Sequence, residues 1–334
     1  MVSFVSFKPG VLSEIVTFWN EVFSHKRNAY PVTKGLYRRR IVERQAFDEE
    51  GLILALAEGD VVGLVHAVKP VPSDLPIYET RRCQDNGSIA VLIIAPEWRR
   101  KGVGTALLAR AEAYLGRHLH AGRTIYVGDY DVPLYHTLEG PRQPFWGDTE
   151  IMGIARDNRT LIEFLAQRGY SAVNREGQEV TMEASLSQRE RPDRPPLEEL
   201  GLREVTVSDE KPWPGRIGWY RREDLRGYVH GRFGPYRHQV IALVRDDVLT
   251  SHVEWYPMHQ EGRVGLFDFQ VAENDRAQGL GSYLLDKSLW AMAGQGYRTV
   301  ELHTNTKKNA LAYGMYLRRD FDVVESWVAL MKKV

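Results

Sequence analysis

Hydrophobic residues recur along this chain in the same order of patterns twice. Runs of aliphatic and β-branched residues, each interrupted by a short acidic turn, predict one β-hairpin at 52–68 and another at 239–255. A further apolar run follows each hairpin, at 89–94 and at 266–271, and predicts one more strand in each place. The two halves of the chain are therefore predicted to share one order of elements.

Helical periodicity follows the last strand of each half. In the first half it extends over roughly 103–119, with an apolar stripe at i, i+4 spacing formed by Val103, Leu107, Ala111 and Leu115. The counterpart stripe consists of Leu280, Leu284, Leu285, Leu289 and Met292. Such stripes are typical of helix faces that are buried in a core. Each half is thus predicted to continue from its strand into a packed helix.

Residues 187–199 have neither periodicity. They are polar and rich in proline, which is typical of an exposed connector between two cores. We therefore expect a first domain at 1–186, a linker at 187–199 and a second domain at 200–334.

A glycine-rich turn joins strand to helix in both halves. The copies, 177 positions apart, read Arg99-Arg100-Lys101-Gly102-Val103-Gly104-Thr105 and Arg276-Ala277-Gln278-Gly279-Leu280-Gly281-Ser282. Two glycines one residue apart at a helix start let backbone N–H groups converge where the helix dipole is positive, a geometry that holds phosphate. A single such turn could equally be structural. Neither copy has the third glycine of the dinucleotide fingerprint or the Gly-Lys-Ser/Thr of a P-loop.

Together with the strands before them, these turns resemble the central motif of the GNAT superfamily of N-acetyltransferases, Val-x-Pro-x-x-Arg/Gln-x-x-Gly-x-Gly/Ala. The first copy begins with Ile94 and Pro96, and the second with Val271 and with Glu273 in the proline place. The resemblance implies an α/β fold of two tandem GNAT-like domains, each a mixed, largely antiparallel sheet flanked by helices. It also implies acetyl-CoA as cosubstrate, with its pyrophosphate on the amides of 100–105 and 277–282, and its pantetheine at Ile94 or Val271.

A second family motif, Asn-x-x-Ala-x-x-Leu-Tyr-x-x-x-Gly-Phe, is resembled in both halves. The second half matches it with Asn309, Ala312, Met315, Tyr316 and Phe321, while the first half has Asn158, Leu161, Phe164, Leu165, Gly169 and Tyr170. The resemblance implies that Asn309 belongs to the cofactor site and that Tyr316 protonates the departing thiolate, although a core aromatic is the alternative for Tyr316. Leu165 cannot donate a proton. We therefore expect a catalytic second domain and a non-catalytic first domain, a tandem layout similar to that of mycothiol synthase.

Two features leave alternatives open. The second motifs are only 151 positions apart, so the first half carries 26 more residues near 128–157, which would cap the first domain or form a wall over substrate. The motifs also do not identify a general base, because Ser88 and Gly265 occupy the place where many family members have glutamate. The candidates on nearby strands are Glu254, Asp268, Glu301 and His303.

Composition excludes several classes of protein. Lys plus Arg and Asp plus Glu are balanced at 44 each, so no global charge favours nucleic acid or an anionic membrane. The single cysteine, Cys83, excludes an intrachain disulfide, and no Cys/His cluster has zinc-ligand spacing, so we expect no metal. The sequence shows neither a signal peptide nor a membrane-spanning run, which predicts a cytoplasmic protein.

The resulting hypothesis is an N-acetyltransferase that moves acetyl from acetyl-CoA to a primary amine of a small molecule or peptide, by direct attack in a ternary complex. A monomer is expected, since the tandem forms an internal pseudo-dimer. Two alternatives stay open: an acyl-CoA-binding sensor without turnover, and a related acyltransferase with a different acyl donor or acceptor.

Overall fold

The computed structural model describes residues 1–23, 31–44, 46–70, 85–128, 135, 153–208, 216–217, 239–258 and 260–334. The strands are β1 (Val2–Ser6), β2 (Leu52–Ala57), β3 (Asp60–Val68), β4 (Gly87–Ile94), β5 (Thr124–Val127), β6 (Ile154–Ala155), β7 (Ser171–Ala172), β8 (Glu179–Ser185), β9 (Arg203–Ser208), β10 (Arg216–Ile217), β11 (Gln239–Arg245), β12 (Val248–Pro257), β13 (Arg263–Gln270), β14 (Thr299–Asn305), β15 (Asp322–Val328) and β16 (Leu330–Lys333). The α-helices are α1 (Leu12–Phe23), α2 (Lys34–Tyr37), α3 (Val103–Gly116), α4 (Arg159–Ala166), α5 (Leu280–Gly294) and α6 (Ala310–Leu317).

These strands form two sheets. The first has the order β1-β2-β3-β4-β5-β16-β7, and the second the order β9-β11-β12-β13-β14-β8-β15-β6, with β10 beside β12. Neighbouring strands are antiparallel except in three pairs, β4 with β5, β13 with β14, and β10 with β12. The predicted mixed, largely antiparallel sheets are confirmed, and the two sheets repeat one arrangement around a central parallel pair.

Each half of the chain contributes one strand to the sheet of the other half. β8 precedes the 187–199 segment, yet it lies between β14 and β15 of the second sheet. The C-terminal strand β16 returns to the first sheet and lies between β5 and β7. The segment 187–199 contains no helix or strand, as its composition indicates, although Leu197 within it is fully buried. The sheets therefore do not divide the chain at a single point.

Both hairpins and both helices after the glycine turns form where the patterns predict them. The apolar stripes of α3 and α5 are buried, so these helices pack on their sheets as expected. The first sheet has a core on each face, one against α3 and one that includes Trp19 of α1 and Tyr37 of α2. The residues near 128–157 that form the predicted insertion lie outside the described part of the chain, except 128, 135 and 153–157.

A buried ion cluster fastens the exchanged strand β8 to the second sheet. Arg263 of β13 donates to Glu183 of β8 and, over 2.8 Å, to Glu301 of β14. The Glu301 side chain is completely buried, and the other two side chains are 16% and 19% exposed. Because one guanidinium pairs with two carboxylates at a strand junction, removing it takes away a positive charge that both share inside the sheet.

Replacing this guanidinium tests the fastening of β8. We expect Arg263→Gln to lower the free energy of unfolding by about 3–5 kcal/mol, since Glu183 and Glu301 lose the positive charge that they share. Urea denaturation followed by circular dichroism measures the change. The control is Arg203→Gln, because Arg203 pairs with Asp247 at 2.9 Å on the surface, where such a pair contributes at most about 1 kcal/mol. Equal, small losses in the two variants would show that the cluster does not hold β8.

Candidate active site

A cleft opens in each sheet where the central parallel strands stop pairing. The β13–β14 ladder runs from Arg263 opposite Thr299 to Leu266 opposite Leu302, although β13 continues to Gln270. In the first sheet the β4–β5 ladder ends at Ile89 opposite Val127, while β4 continues to Ile94. The ends of each parallel pair therefore diverge, which leaves backbone groups along the gap available to a ligand.

A β-bulge marks the start of the divergence in both sheets. Trp255 pairs with Leu266 while Glu254 pairs with Asp268, so Phe267 is the extra residue of β13. On β4 the extra residue is Ala90, which lies 177 positions earlier. The repeat thus extends beyond the glycine turn to the irregularity that shapes the cleft.

The glycine turns at the end of these strands have the same backbone shape. Gly102 and Gly279 are left-handed, with φ of 83° and 77°, and so are Arg100 and Ala277, with φ of 59° and 61°. Left-handed residues in such a turn let successive N–H groups point into one concavity, an arrangement that binds anions. A 3₁₀ turn precedes each copy, at Pro96–Trp98 and at Glu273–Asp275, so the missing proline does not alter the local fold.

Each turn leads into a helix whose first amides lack an intrahelical acceptor. The first helical bond of α3 runs from Ala106 to Gly102, and that of α5 from Tyr283 to Gly279, at 3.0 Å each. The amides of residues 103–105 and 280–282 precede these bonds and stand at the positive end of the helix dipole. A pyrophosphate fits this geometry, and these amides are among those of 100–105 and 277–282 that the resemblance assigns to it.

The second glycine of each turn has a packing role. A Cβ on Gly104 would lie 3.2 Å from the Ile94 side chain, and one on Gly281 would lie 3.3 Å from Val271. Gly281 is also close to Met315 of α6. The arginine of each motif connects the turn to the strand before it by a hydrogen bond. Arg276 Nε donates to Val271 O over 3.2 Å, and Arg99 Nε donates to Ile94 O over 3.1 Å.

A second, duplicated arginine ties the next helix to the turn. Arg168, just after α4, donates to Phe164 O at 2.8 Å and to Thr105 Oγ1 at 2.7 Å. Arg319, 151 positions later, donates to Met315 O at 3.2 Å and to Ser282 O at 3.4 Å. Sequence reasoning missed this pair, although the offset of the second motifs is enough to find it.

The two copies of the second motif differ where they meet the cleft. Tyr316 of α6 is 5% exposed, and its ring lies beside Phe269 of β13 and Phe321. Burial, and then the negative charge of Asp268, raise the pKa of the Tyr316 hydroxyl above its ordinary value. In the first sheet the equivalent Leu165 is fully buried. Asn309 is the N-cap residue of α6, and its side-chain nitrogen is 3.4 Å from Thr304 Oγ1.

Polar side chains line the face of the second sheet opposite α5. Val253 and Trp255 of β12 pack with the α5 core, so the alternate residues His252 and Glu254 face the other way. Asp268 of β13 is directly opposite Glu254, and its Oδ2 lies 3.0 Å from His252 Nε2. His252 and Glu254 are completely buried. Three ionisable groups therefore meet at the bulge, and of these sequence reasoning missed His252.

The same positions of the first sheet carry different chemistry. His66 is opposite Val91 and Leu64 is opposite Ile93, in the register that Glu254 and His252 have with Asp268 and Gln270. His66 Nδ1 is 2.9 Å from the hydroxyl of Tyr135, a residue of the inserted segment.

Tyr135 is itself held in place by its neighbours. Its hydroxyl is 3.3 Å from that of Tyr37, and its ring stacks on Trp19. A buried aromatic from the insertion thus covers the equivalent of the acidic pair.

The other two predicted bases are paired. Glu301 pairs with Arg263, as described above. His303 Nε2 lies 3.5 Å from Glu179 Oε2. Although burial opposes ionisation of Glu179, the neighbouring His303 and Asn305 and the charge of Arg175 hold its pKa below the ordinary range. Of the four candidates, Glu254 and Asp268 lie opposite each other at the bulge, whereas Glu301 and His303 lie on β14.

The described residues include no helix with the length and hydrophobicity that a membrane span requires. They also contain no group of three or more His, Cys, Asp or Glu side chains that could hold a metal ion.

Comparison with known proteins agrees with this geometry. Among solved structures, a tandem GNAT protein from the clavulanic acid biosynthesis pathway is similar over 100% of this chain and 98% of its own, with a TM-score of 0.66 and 15% identity. A GCN5-related N-acetyltransferase from Sphaerobacter thermophilus is similar over 99% and 95%, with a TM-score of 0.60 and 15% identity. At these identities the likeness shows the fold.

A fungal multi-domain GH3 β-N-acetylglucosaminidase contains a GCN5-related glucosamine N-acetyltransferase region that is similar over 99% of this chain and 38% of its own. Its TM-score is 0.61 and its identity 14%. No curated protein matches the sequence. The acetyltransferase (GNAT) family matches residues 15–138 and 189–321, more than half of the chain. The chain therefore belongs to the GNAT family of acetyltransferases and consists of two tandem GNAT domains.

Proposed function

We propose that the protein is an N-acetyltransferase that moves the acetyl group of acetyl-CoA to a primary amine, and that the second domain performs the reaction. The observation that carries the proposal is the position of Tyr316, a buried hydroxyl beside the divergence of β13 and β14. The first domain has Leu165 in its place. In this proposal the amine attacks directly while both substrates are bound.

The glycine turn of the second domain suits the cosubstrate. Its left-handed residues and the free amides of 280–282 offer N–H donors to a pyrophosphate. Gly281 lets α5 approach Val271 closely, so the residue assigned to the pantetheine lies next to the anion site. Acetyl-CoA supplies an activated acyl group, and the chain supplies binding, orientation and proton transfer.

Tyr316 suits the protonation of the leaving group. A thiol has a pKa of roughly 8.5, so its departure is helped by a nearby proton donor. Because the pKa of Tyr316 is raised, its hydroxyl stays protonated throughout the neutral range. The core-aromatic alternative explains the burial of the ring but assigns nothing to its hydroxyl.

The first domain keeps a turn of the same shape without a reactive site. Leu165 supplies no proton, and Tyr135 fills the position that faces His66. The contacts of Tyr135 favour the first interpretation of the insertion, in which it caps the first domain, and not the second, in which it forms a wall over substrate. A sensor without turnover remains the rival function, and the first turn alone would satisfy it.

Removing one hydroxyl separates the two functions. We expect Tyr316→Phe to lower kcat by about 10²-fold or more, with unchanged affinity for acetyl-CoA, because the phenyl ring keeps the packing and loses only the donor. Thiol release from acetyl-CoA with a panel of primary amines measures the rate. The matched control is Tyr170→Phe, the same change at a buried tyrosine of the first domain. Tight acetyl-CoA binding by the wild type without thiol release from any amine would support the sensor.

Acid should lower the folding stability of the protein through His66 of the first domain. Burial lowers the pKa of His66 to about 3, against 6.5 for an ordinary histidine, so below pH 6.5 the unfolded chain takes up a proton that the native chain does not. Stability is therefore lost as the pH falls from 6.5 towards 3, by at most about 1.4 kcal/mol per pH unit. Urea unfolding at pH 7 and pH 5.5 measures the loss. His66→Asn, which keeps an acceptor for Tyr135, should show a smaller loss, and an equal loss would contradict this account.

A further inference from the structure

Arg319 joins the helix that carries Tyr316 to the helix that begins at the glycine turn of the second domain. Its Nε and Nη2 each donate to one carboxylate oxygen of Asp286 on α5, the second over 2.7 Å. Nη2 also donates to Ser282 O over 3.4 Å, and Nη1 donates to Met315 O of α6 over 3.2 Å. One guanidinium therefore contacts the first turn of α5, a carboxylate one turn further along it, and the residue before Tyr316.

The contact between Arg319 and Asp286 has the geometry of a strong ion pair. Two N–H···O bonds from one guanidinium to one carboxylate are charge-assisted, and they fix the orientation of the two planar groups. The Arg319 side chain is 13% exposed and that of Asp286 is 37% exposed, so water screens the pair only in part. The pair is thus suited to hold two helices in one arrangement.

The first domain has the arginine but not its carboxylate. Arg168 occupies the place of Arg319, 151 positions earlier, and Ala109 occupies the place of Asp286, 177 positions earlier. Arg168 donates instead to the hydroxyl of Thr105, and no carboxylate in the described part of the chain pairs with it. The fold therefore forms its cleft without this ion pair, and the pair occurs in the domain that has the tyrosine.

The position of Tyr316 depends on how α6 is held. This helix has only eight residues, and a helix of that length is marginal without tertiary contacts. The Tyr316 ring lies beside Phe269 of β13 and Phe321 after α6, so these two rings do not connect α6 with α5. A proton donor must be within hydrogen-bond reach of the atom that takes its proton. The contacts of Arg319 with α5 therefore bear directly on the proposed reaction.

We propose that the Arg319–Asp286 pair positions Tyr316, by fixing α6 against the turn of α5 that binds the pyrophosphate of acetyl-CoA. This proposal rests on the proposed acetyl transfer, in which the Tyr316 hydroxyl gives its proton to the departing sulfur. The amides of 280–282 bind the anion, and the carbonyl of Ser282 accepts from Arg319. Cosubstrate and proton donor are thereby attached to the same turn of α5. Arg319 is a positioning residue and not a catalytic one.

A double-mutant cycle tests whether Arg319 acts through Tyr316. We expect Arg319→Gln to lower kcat for thiol release about 10–10²-fold, with less than about threefold change in KM for acetyl-CoA, because misplacing a reacting group by about 1 Å has such an effect. Without the hydroxyl there is nothing to position, so Tyr316→Phe/Arg319→Gln should have the kcat of Tyr316→Phe alone. The rates are measured over a range of acetyl-CoA concentrations with the primary amine that the wild type acetylates fastest.

Three further variants complete the set. Asp286→Ala, which takes its residue from the first domain, should reproduce the loss of Arg319→Gln, since the guanidinium loses the carboxylate that orients it. Arg319→Lys keeps the charge without the planar fork and should recover only part of kcat. Arg318→Gln is the matched control, because it makes the same change at the neighbouring, exposed arginine. Its kcat should equal that of the wild type.

Hydrogen exchange tests the same coupling without turnover. When coenzyme A binds the wild type, the amides of 280–282 gain an acceptor, and Arg319 should transmit the added order to α6. Exchange measured by mass spectrometry should therefore slow in 280–286 and in 310–317. In Asp286→Ala it should slow in 280–286 alone.

The outcomes distinguish this proposal from the function on which it rests. Losses of kcat that add in the cycle, or slowing in 310–317 that persists in Asp286→Ala, would overturn the positioning role. A Tyr316→Phe variant with the kcat of the wild type would remove the role of Tyr316 and that of Arg319 with it. Absence of thiol release by the wild type with every amine would instead overturn the proposed acetyl transfer, and hydrogen exchange would still decide whether the pair couples the two helices.

Discussion

Two parallel strands that stop pairing partway along their length determine almost everything at the candidate site. In the second sheet the ladder between β13 and β14 ends at Leu266 and Leu302, and the bulge at Phe267 lies at that end. Past this point the backbone groups of the two strands cannot satisfy each other, so an extended ligand can bind between them. The same strand then ends in the glycine turn, which brings the amides of α5 to one end of the opening. One irregularity thus aligns an anion site, a channel and Asp268.

The duplicated fold provides its own comparison of structure with chemistry. Features present in both copies, such as the bulge, the left-handed turn and the arginines Arg168 and Arg319, are what this fold needs to form a cleft. Features present in one copy are free to serve a reaction. The phenol of Tyr316 and the Glu254–Asp268 pair belong to this second kind. Their occurrence in the same copy is the reason for proposing that the second domain performs the reaction.

The sequence predicts the local elements well and the long-range pairing poorly. Period-two and i, i+4 patterns locate both hairpins and both helices, because each depends on neighbours in the chain. The exchange of β8 and β16 leaves no such signal, since the residues of a short strand do not indicate which of two similar sheets it joins. For a related reason, the sequence does not predict His252 and its contact with Asp268. The connection between β3 and β4 is longer than that between β12 and β13, so comparing the repeats at a constant offset misaligns β3 with β12.

The exchanged strands make the second sheet depend on the first half of the chain. β8 comes from the first half, and it lies beside β14, the strand that forms one wall of the second cleft. It also supplies Glu183 to Arg263 and Glu179 to the neighbourhood of His303. A second half cut free at 187–199 would lack that strand and leave Arg263 with only one of its two carboxylates. The first half is therefore part of the wall of the second cleft, whatever its own turn binds.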